Sequence, residues 1–233
     1  MSSCQNRIYG AEFSREKIEE TAGSGRLLSM EIEFNRNCNF NCIYCYNQQD
    51  SKGRKELTRD EARDVITQAG ELGAKKIIVL GGEPMLYPHI MEMLQFITEL
   101  GMEVELFTNG TNITEAVARQ LADYKVVVAL KMNTSDEKLQ DMLSGRPGAY
   151  RHIHNAFDNL KKAGYPHTVP MGISTVICRQ NFDELTKIWE WLREQKIDPY
   201  FEMITPQGNA KKNEMLDVDP AKVRELFEQI AKM

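Results

Sequence analysis

Six times in succession this chain follows a short apolar or alternating stretch with a longer helical pattern, and that serial order constrains the fold more than any other feature. Strands are predicted at 28–35, 75–80, 102–107, 125–132, 171–177 and 199–205. Helices are predicted at 58–72, 88–100, 114–123, 149–163, 181–195 and 219–232, with a shorter one at 136–143 and another near Ser14–Ala22. Strand–helix units in series imply an α/β protein with a parallel sheet and right-handed crossovers. Either an incomplete barrel or an open doubly wound sheet satisfies that pattern. At 233 residues the chain can build one sizeable core.

Local signals sharpen the boundaries. Thr58-x-x-Glu61 and Asn181-x-x-Glu184 fit N-terminal capping patterns. Asp219-Pro220 suits a cap followed by proline in the first turn. Gly73, Gly101 and Gly164 each follow a helical pattern, where a left-handed residue is often needed. In the last helix Val223, Leu226, Phe227 and Ile230 make one apolar stripe expected to pack on the sixth strand.

The loops after the six strands hold the unusual residues, and in parallel α/β folds those loops share the ligand-binding edge of the sheet. After the first strand comes Asn37-Cys38-Asn39-Phe40-Asn41-Cys42-Ile43-Tyr44-Cys45. Gly81-Gly82-Glu83-Pro84 follows the second, and Thr108-Asn109-Gly110-Thr111 the third. Lys131 and Asn133 end the fourth, Cys178-Arg179-Gln180-Asn181 the fifth, and Thr205-Pro206-Gln207-Gly208-Asn209 the sixth.

Three of the five cysteines fall within eight residues, in a C-x3-C-x2-C loop; Cys4 and Cys178 are remote. An odd, clustered set speaks for metal ligation rather than disulfides. Three thiolates on one loop suit an iron–sulfur cubane with one corner left open. The competing structural zinc site ordinarily has four closed ligands, and no histidine lies near. His89, His152, His154 and His167 are scattered without metal-ligand spacing. Trp189 and Trp191 read as structural, and Cys178 as a buried inert thiol.

The C-x3-C-x2-C loop with Tyr44, and Gly81-Gly82-Glu83-Pro84 after the next strand, resemble the radical S-adenosylmethionine (radical SAM) superfamily over residues 28 to 216. The resemblance implies a (β/α)6 partial TIM barrel over 28–233, with 1–27 as an N-terminal extension carrying a short helix. It implies a [4Fe–4S] cluster on Cys38, Cys42 and Cys45, whose open iron chelates the methionine end of S-adenosylmethionine. Reductive cleavage would then yield a 5′-deoxyadenosyl radical that takes hydrogen from substrate. By resemblance the backbone at Gly81, Gly82, Glu83 and Pro84 meets the methionine amino group, to which the Glu83 carboxylate can also bond, and Tyr44 lies near the adenine. Asn109, Lys131, Asn133 and Arg179 fall where relatives bind ribose or carboxylate, although Lys131 departs from the small hydroxyl residue frequent there. An electron donor such as flavodoxin or ferredoxin is implied as a partner.

Leu143–Tyr150 and Gln207–Asn213 resemble the branch of peptide-modifying and molybdenum-cofactor-type enzymes, many of which continue into a cysteine-rich domain with further clusters. The expectation here is one cluster, in a stand-alone enzyme or a core cut from a longer protein. The substrate is a small molecule or a peptide. An activating enzyme for a partner protein and a non-catalytic iron–sulfur protein are the alternatives.

Composition narrows the partners. A formal net charge of −5 argues against a broad nucleic-acid or anionic-membrane surface. The polar start and the lack of a spanning apolar run predict a cytoplasmic protein. Glu31, Glu33, Glu103 and Glu105 alternate with apolar residues on the first and third strands. If the apolar set faces the helices, these carboxylates share a polar lumen with Lys131 and Glu202. Such charges must be paired, met by substrate, or hydrated at the open bottom.

Overall fold

The computed structural model describes residues 13–47 and 55–233, so Cys4 and most of the polar N-terminus lie outside the described residues. A helix, α1 (Arg15–Gly23), precedes the first strand, and Ser14 caps it by accepting from Lys17 N. Six strands follow: β1 (Ser29–Glu33), β2 (Lys76–Leu80), β3 (Glu103–Thr108), β4 (Val127–Lys131), β5 (Met171–Val176) and β6 (Asp198–Glu202). They alternate with α2 (Arg59–Glu71), α3 (Ile90–Glu99), α4 (Glu115–Asp123), α5 (Glu137–Ser144), α6 (Ala149–Lys162) and α7 (Leu185–Glu194), and α8 (Pro220–Ile230) ends the chain.

The sheet runs β1-β2-β3-β4-β5-β6, all neighbours parallel. Side-chain contacts across non-adjacent strands show that it curls. The rings of Phe107 on β3 and Tyr200 on β6 meet edge to face at 5.5 Å. Flat neighbours at about 4.8 Å spacing would hold strands three apart at roughly 14 Å. Lys131 on β4 likewise reaches across β5 to Glu202 on β6, at 2.7 Å. Among the described residues no ladder joins β6 back to β1, so the barrel is open. This decides between the two architectures that the strand order allowed.

The two faces of each strand divide as period-two alternation requires. Ile32, Phe34, Val104 and Leu106 face the helices and join a core with Ile66, Met93, Leu94 and Ile97. The opposite face of β2 and β3 places Lys76 and Glu105 in the lumen as an ion pair of 2.6 Å, with side chains 3% and 0% exposed. Glu31, Glu33 and Glu103 are exposed. Pairing and hydration therefore both operate, each on different carboxylates.

Most of the predicted end signals act as expected. Thr58 and Glu61 form a reciprocal capping box on α2. Asp219 caps α8 ahead of Pro220. Gly73, Gly101 and Gly164 have φ of 97°, 77° and 104°. Asn181 is a correction: it makes no side-chain cap. Fully buried, it accepts from Cys178 N and donates to Asn133 O and Val176 O. Tertiary carbonyls within reach outcompete the local helix end for its amide. Glu184 is similarly diverted, accepting from Thr134 Oγ1 at 2.6 Å. Phe227 is a second correction. Val223, Leu226 and Ile230 are buried against Ile177 and Leu185, but Phe227 sits at the edge of that stripe and is 41% exposed.

Candidate active site

The segment between β1 and α2 that carries the cysteines is irregular backbone through residue 47, and partners from four directions hold it. Gly82 N donates to Asn35 O and Glu83 N to Asn37 O. A Cβ on Gly81, at φ 130°, would lie 2.5 Å from Asn35 O, and one on Gly82 would overlap Asn37 O. Only glycine lets the second-strand loop approach the cysteine loop this closely. Asn39 bonds to Thr111 and to Asn109, which ties in the third-strand loop. Asn41 and Ile43 donate to Ser144 O and Leu143 O at the end of α5. Asn209 and Asn213 approach from beyond β6.

This bracing brings Cys38, Cys42 and Cys45, all half-buried free thiols, onto one cavity of about 260 Å³ at the carboxyl end of the sheet. Gly81, Gly82, Glu83, Asn109, Tyr44 and Lys131 line the same cavity, and exposed Tyr46 and Met203 stand at its rim. Phe40 N donates to Cys38 Sγ at 3.4 Å, and Asn109 Nδ2 lies 3.8 Å from the same sulfur. Burial pushes all three thiols up, Cys42 to about 12. The Lys131 charge opposes this rise at Cys42 and Cys45 without offsetting it. Among the described residues no three His, Cys, Asp or Glu side chains converge as a single ion would require. Three soft thiols around a shared space fit the donor set of an iron–sulfur cluster.

Glu83 stands differently from the sequence expectation. Its carboxylate is 1% exposed and accepts from Met85 N (3.0 Å), Thr108 Oγ1 (2.6 Å) and Asn109 N (2.7 Å). These bonds pin the loop after β2 to the loop after β3, so the side chain shapes the cavity wall. Burial pushes its carboxyl up to about 7, against the opposing pull of those three donors. The folded value lies above the ordinary carboxylate value, so the folded state binds this proton more tightly than the unfolded chain. Its burial cost is absent at low pH, grows as pH rises from about 4.5 to about 7, and is complete above that. Metal-free protein should therefore lose stability on the order of 3 kcal/mol over that window from this group. Urea midpoints of wild type and Glu83→Gln at pH 5 and pH 7.5 check this. Equal pH slopes for the two proteins would refute it.

Other predicted ligands are distributed unevenly. Lys131 lines the cavity, but its ammonium is paired with Glu202 (2.7 Å) and Ser174 (3.0 Å) and lies 5.5 Å from the Tyr44 ring centroid. Burial alone would raise the Glu202 carboxyl; Lys131 outweighs it and holds it below the usual range. Tyr44 is buried with Leu143, Val176, Cys178 and Leu216, and its oxygen accepts from Asn133 Nδ2 at 2.8 Å. Asn133 is fully buried behind Tyr44, with its Oδ1 taken by Val176 N, so it supports the wall without facing the cavity. Pro84 opens a 3-10 turn and is buried beneath the loop. Arg179 does not join the site. It is exposed and turned toward the chain before α8, where its Nε donates to Asp217 O. Sequence reasoning set Lys131 and Glu202 in a shared lumen but missed Ser174, which completes a triad with them, and it missed the roles of Asn209 and Asn213. Period-two placement of Ser174 and Glu202 on the lumen face was the available signal for the triad.

The Radical SAM superfamily model matches residues 32–201, most of the chain. The chain belongs to the radical SAM superfamily. This radical SAM chain is 29% identical over 199 residues to an AdoMet-dependent heme synthase of Methanosarcina barkeri, covering 84% of this chain and 55% of that protein. It is 30% identical over 198 residues to the AdoMet-dependent heme synthase of Oleidesulfovibrio alaskensis, covering 83% and 49%. It thus spans about half the length of these curated relatives. Among solved structures, Streptococcus suis SuiB bound to precursor peptide SuiA superposes with a TM-score of 0.76 at 20% identity, over 96% of this chain and 51% of that one. Native anSMEcpe with bound AdoMet gives 0.63 at 21% identity, over 77% and 52%. These likenesses agree with the open parallel barrel described above. Among the described residues no helix is long and apolar enough to cross a membrane.

Proposed function

We propose that this radical SAM chain holds a [4Fe–4S] cluster on Cys38, Cys42 and Cys45 and works as the S-adenosylmethionine-cleaving core of an enzyme. The observation that carries the reading is the convergence of the three thiols and the Gly81–Glu83 loop on one cavity. Such a cluster, when bound, supplies the electron for reductive cleavage of S-adenosylmethionine and so the means of abstracting hydrogen from a substrate.

The protein's own contribution is placement. Gly81 and Gly82 let their loop lie directly against the backbone of Asn35 and Asn37 on the cavity wall, so backbone can meet the cofactor's amino group there. Glu83 makes that wall rigid through its three bonds and orients Asn109, whose side chain already bonds Asn39. Tyr44 closes the side toward β5 with apolar surface and limits water. Lys131 offers a positive charge to a carboxylate at the cavity floor, exchanging its bond with Glu202 for one to a ligand. The unit responsible is the barrel from residue 28 onward, with 1–27 as an extension.

The lumen below, with Phe107, Tyr200 and the Lys131–Glu202 pair, receives a small molecule or a peptide side chain. The SuiB complex with its precursor peptide supports the peptide option. A flavodoxin- or ferredoxin-like protein delivers the electron. Anaerobically reconstituted, reduced protein should convert S-adenosylmethionine to 5′-deoxyadenosine and methionine, slowly even without substrate. Iron-loaded, reduced protein that binds the cofactor and forms no 5′-deoxyadenosine would overturn this function.

A further inference from the structure

We propose that residues 205–213, after β6, form a strap that positions the cysteine loop, with Asn209 and Asn213 as its positioning residues. The proposal rests on reading that loop as the ligand of an iron–sulfur cluster.

Irregular backbone beside a buried site must find partners for its polar groups. Here the strap supplies them to the loop's carbonyls. Asn209 Nδ2 donates to Cys42 O (3.0 Å) and to Asn41 Oδ1 (2.9 Å), while Asn209 N donates to Cys45 O (2.9 Å). Asn213 Nδ2 donates to Ile43 O (3.0 Å) and to Asn209 O (2.9 Å), which locks the two asparagines together. Gly208, at φ 55°, passes so close that a Cβ would lie 2.6 Å from both Cys45 O and Tyr46 O. The opposite flank is held in the complementary way, with the N–H groups of Asn41 and Ile43 donating to carbonyls at the end of α5.

The consequence is electrostatic. The carbonyls of Cys42, Ile43 and Cys45 are the negative ends of their peptide dipoles, and the strap holds each toward itself. At Cys38 the sulfur meets a backbone N–H, that of Phe40. Hydrogen bonds and dipoles around cysteine sulfurs tune an iron–sulfur cluster's reduction potential. A loop whose carbonyls are released can turn them toward the sulfurs, which disfavours the reduced, more negative state. Asn209 and Asn213 thus act through the loop and hydrogen-bond none of its three thiols.

The test uses uncharged, near-isosteric variants, Asn209→Leu and Asn213→Leu, with Asn213→Ala in reserve should a leucine variant fail to fold. The control is Asn159→Leu, which removes the same kind of amide-to-carbonyl bond, to Ile113 O, on α6. Each reconstituted protein is titrated for reduction potential by electron paramagnetic resonance and challenged with an iron chelator, alongside thermal melting. The strap variants should show a more negative potential and several-fold faster iron loss, and the control neither. Potentials and release rates equal to wild type in folded strap variants, even with a lowered melting temperature, would overturn the proposal and leave a structural role alone. Wild-type protein that takes up no iron would overturn the cluster reading, and this proposal with it.

Discussion

Serine in place of Cys38, Cys42 or Cys45 is expected to drop the iron of anaerobically reconstituted protein from about four per chain to near zero. Each thiol has a separate position on the cavity wall, so the remaining two cannot take over the lost corner. A serine hydroxyl at the same place is a harder and far less acidic ligand than a thiol. Cys178 is the internal control. It is fully buried, does not line the cavity, and its backbone N–H and thiol both bond Asn181 Oδ1. Cys178→Ser should load iron like wild type, at some cost in packing, and Cys4→Ser should also load normally. Iron and sulfide assays with visible spectra decide the matter. Full iron in any of the three single variants, or its loss in Cys178→Ser, would contradict the ligand assignment.

Lys76→Met should destabilise the protein by about 3–5 kcal/mol, the usual cost of removing one partner from a buried ion pair. The Lys76 ammonium and Glu105 carboxylate sit 2.6 Å apart on neighbouring strands, with almost no access to water. Without the ammonium, the carboxylate keeps its burial cost and loses this Coulombic compensation. The pair itself is not intrinsically stabilising, because both ions were taken out of water to make it. The double variant Lys76→Met/Glu105→Leu, which refills the same space with apolar atoms, should recover most of the loss. Urea unfolding of the three proteins gives the coupling directly. A loss below about 1 kcal/mol for Lys76→Met would show that this part of the lumen is better hydrated than its burial indicates. A double variant no more stable than the single one would assign the loss to packing instead.

The two predictions sit at opposite ends of the barrel and differ in how visible their basis was beforehand. The cysteines announced themselves through local spacing: three thiols on one loop need no knowledge of what surrounds them. Period-two alternation placed Glu105 in the lumen, but alternation does not say which charges pair, and nothing in the sequence singled out Lys76. Glu105 met Lys76 because the parallel register sets Glu105 beside Ile78, one residue along the same face from Lys76. Glu31 and Glu33, with the same alternation on β1, stay exposed at the open edge of the sheet.

Glu83 and Arg179 mark the same boundary inside the candidate site. Both occupy the loop positions that the strand order predicted, at the carboxyl edge of the sheet. The direction of each side chain depended on donors and acceptors from other loops. Thr108 and Asn109 drew the Glu83 carboxylate inward, and Asp217 O drew Arg179 outward. A motif names the residue that occupies a loop position and leaves its hydrogen-bond partners open.

The sequence by itself determined the order and kind of the elements, the parallel sheet, the superfamily, and the gathering of three thiols and a glycine-rich loop at one edge. These rest on short-range periods of 2 and 3.6 residues, on glycine and proline at turns, and on spacings of a few residues. Tertiary structure alone decided that Lys131 pairs with Glu202 and that the asparagines beyond β6 hold the cysteine loop. Those contacts join residues 71 to 170 positions apart. No local period spans that distance. They form because the curled sheet brings its two ends together, and because buried carbonyls and charges must be satisfied by whichever groups the fold sets beside them.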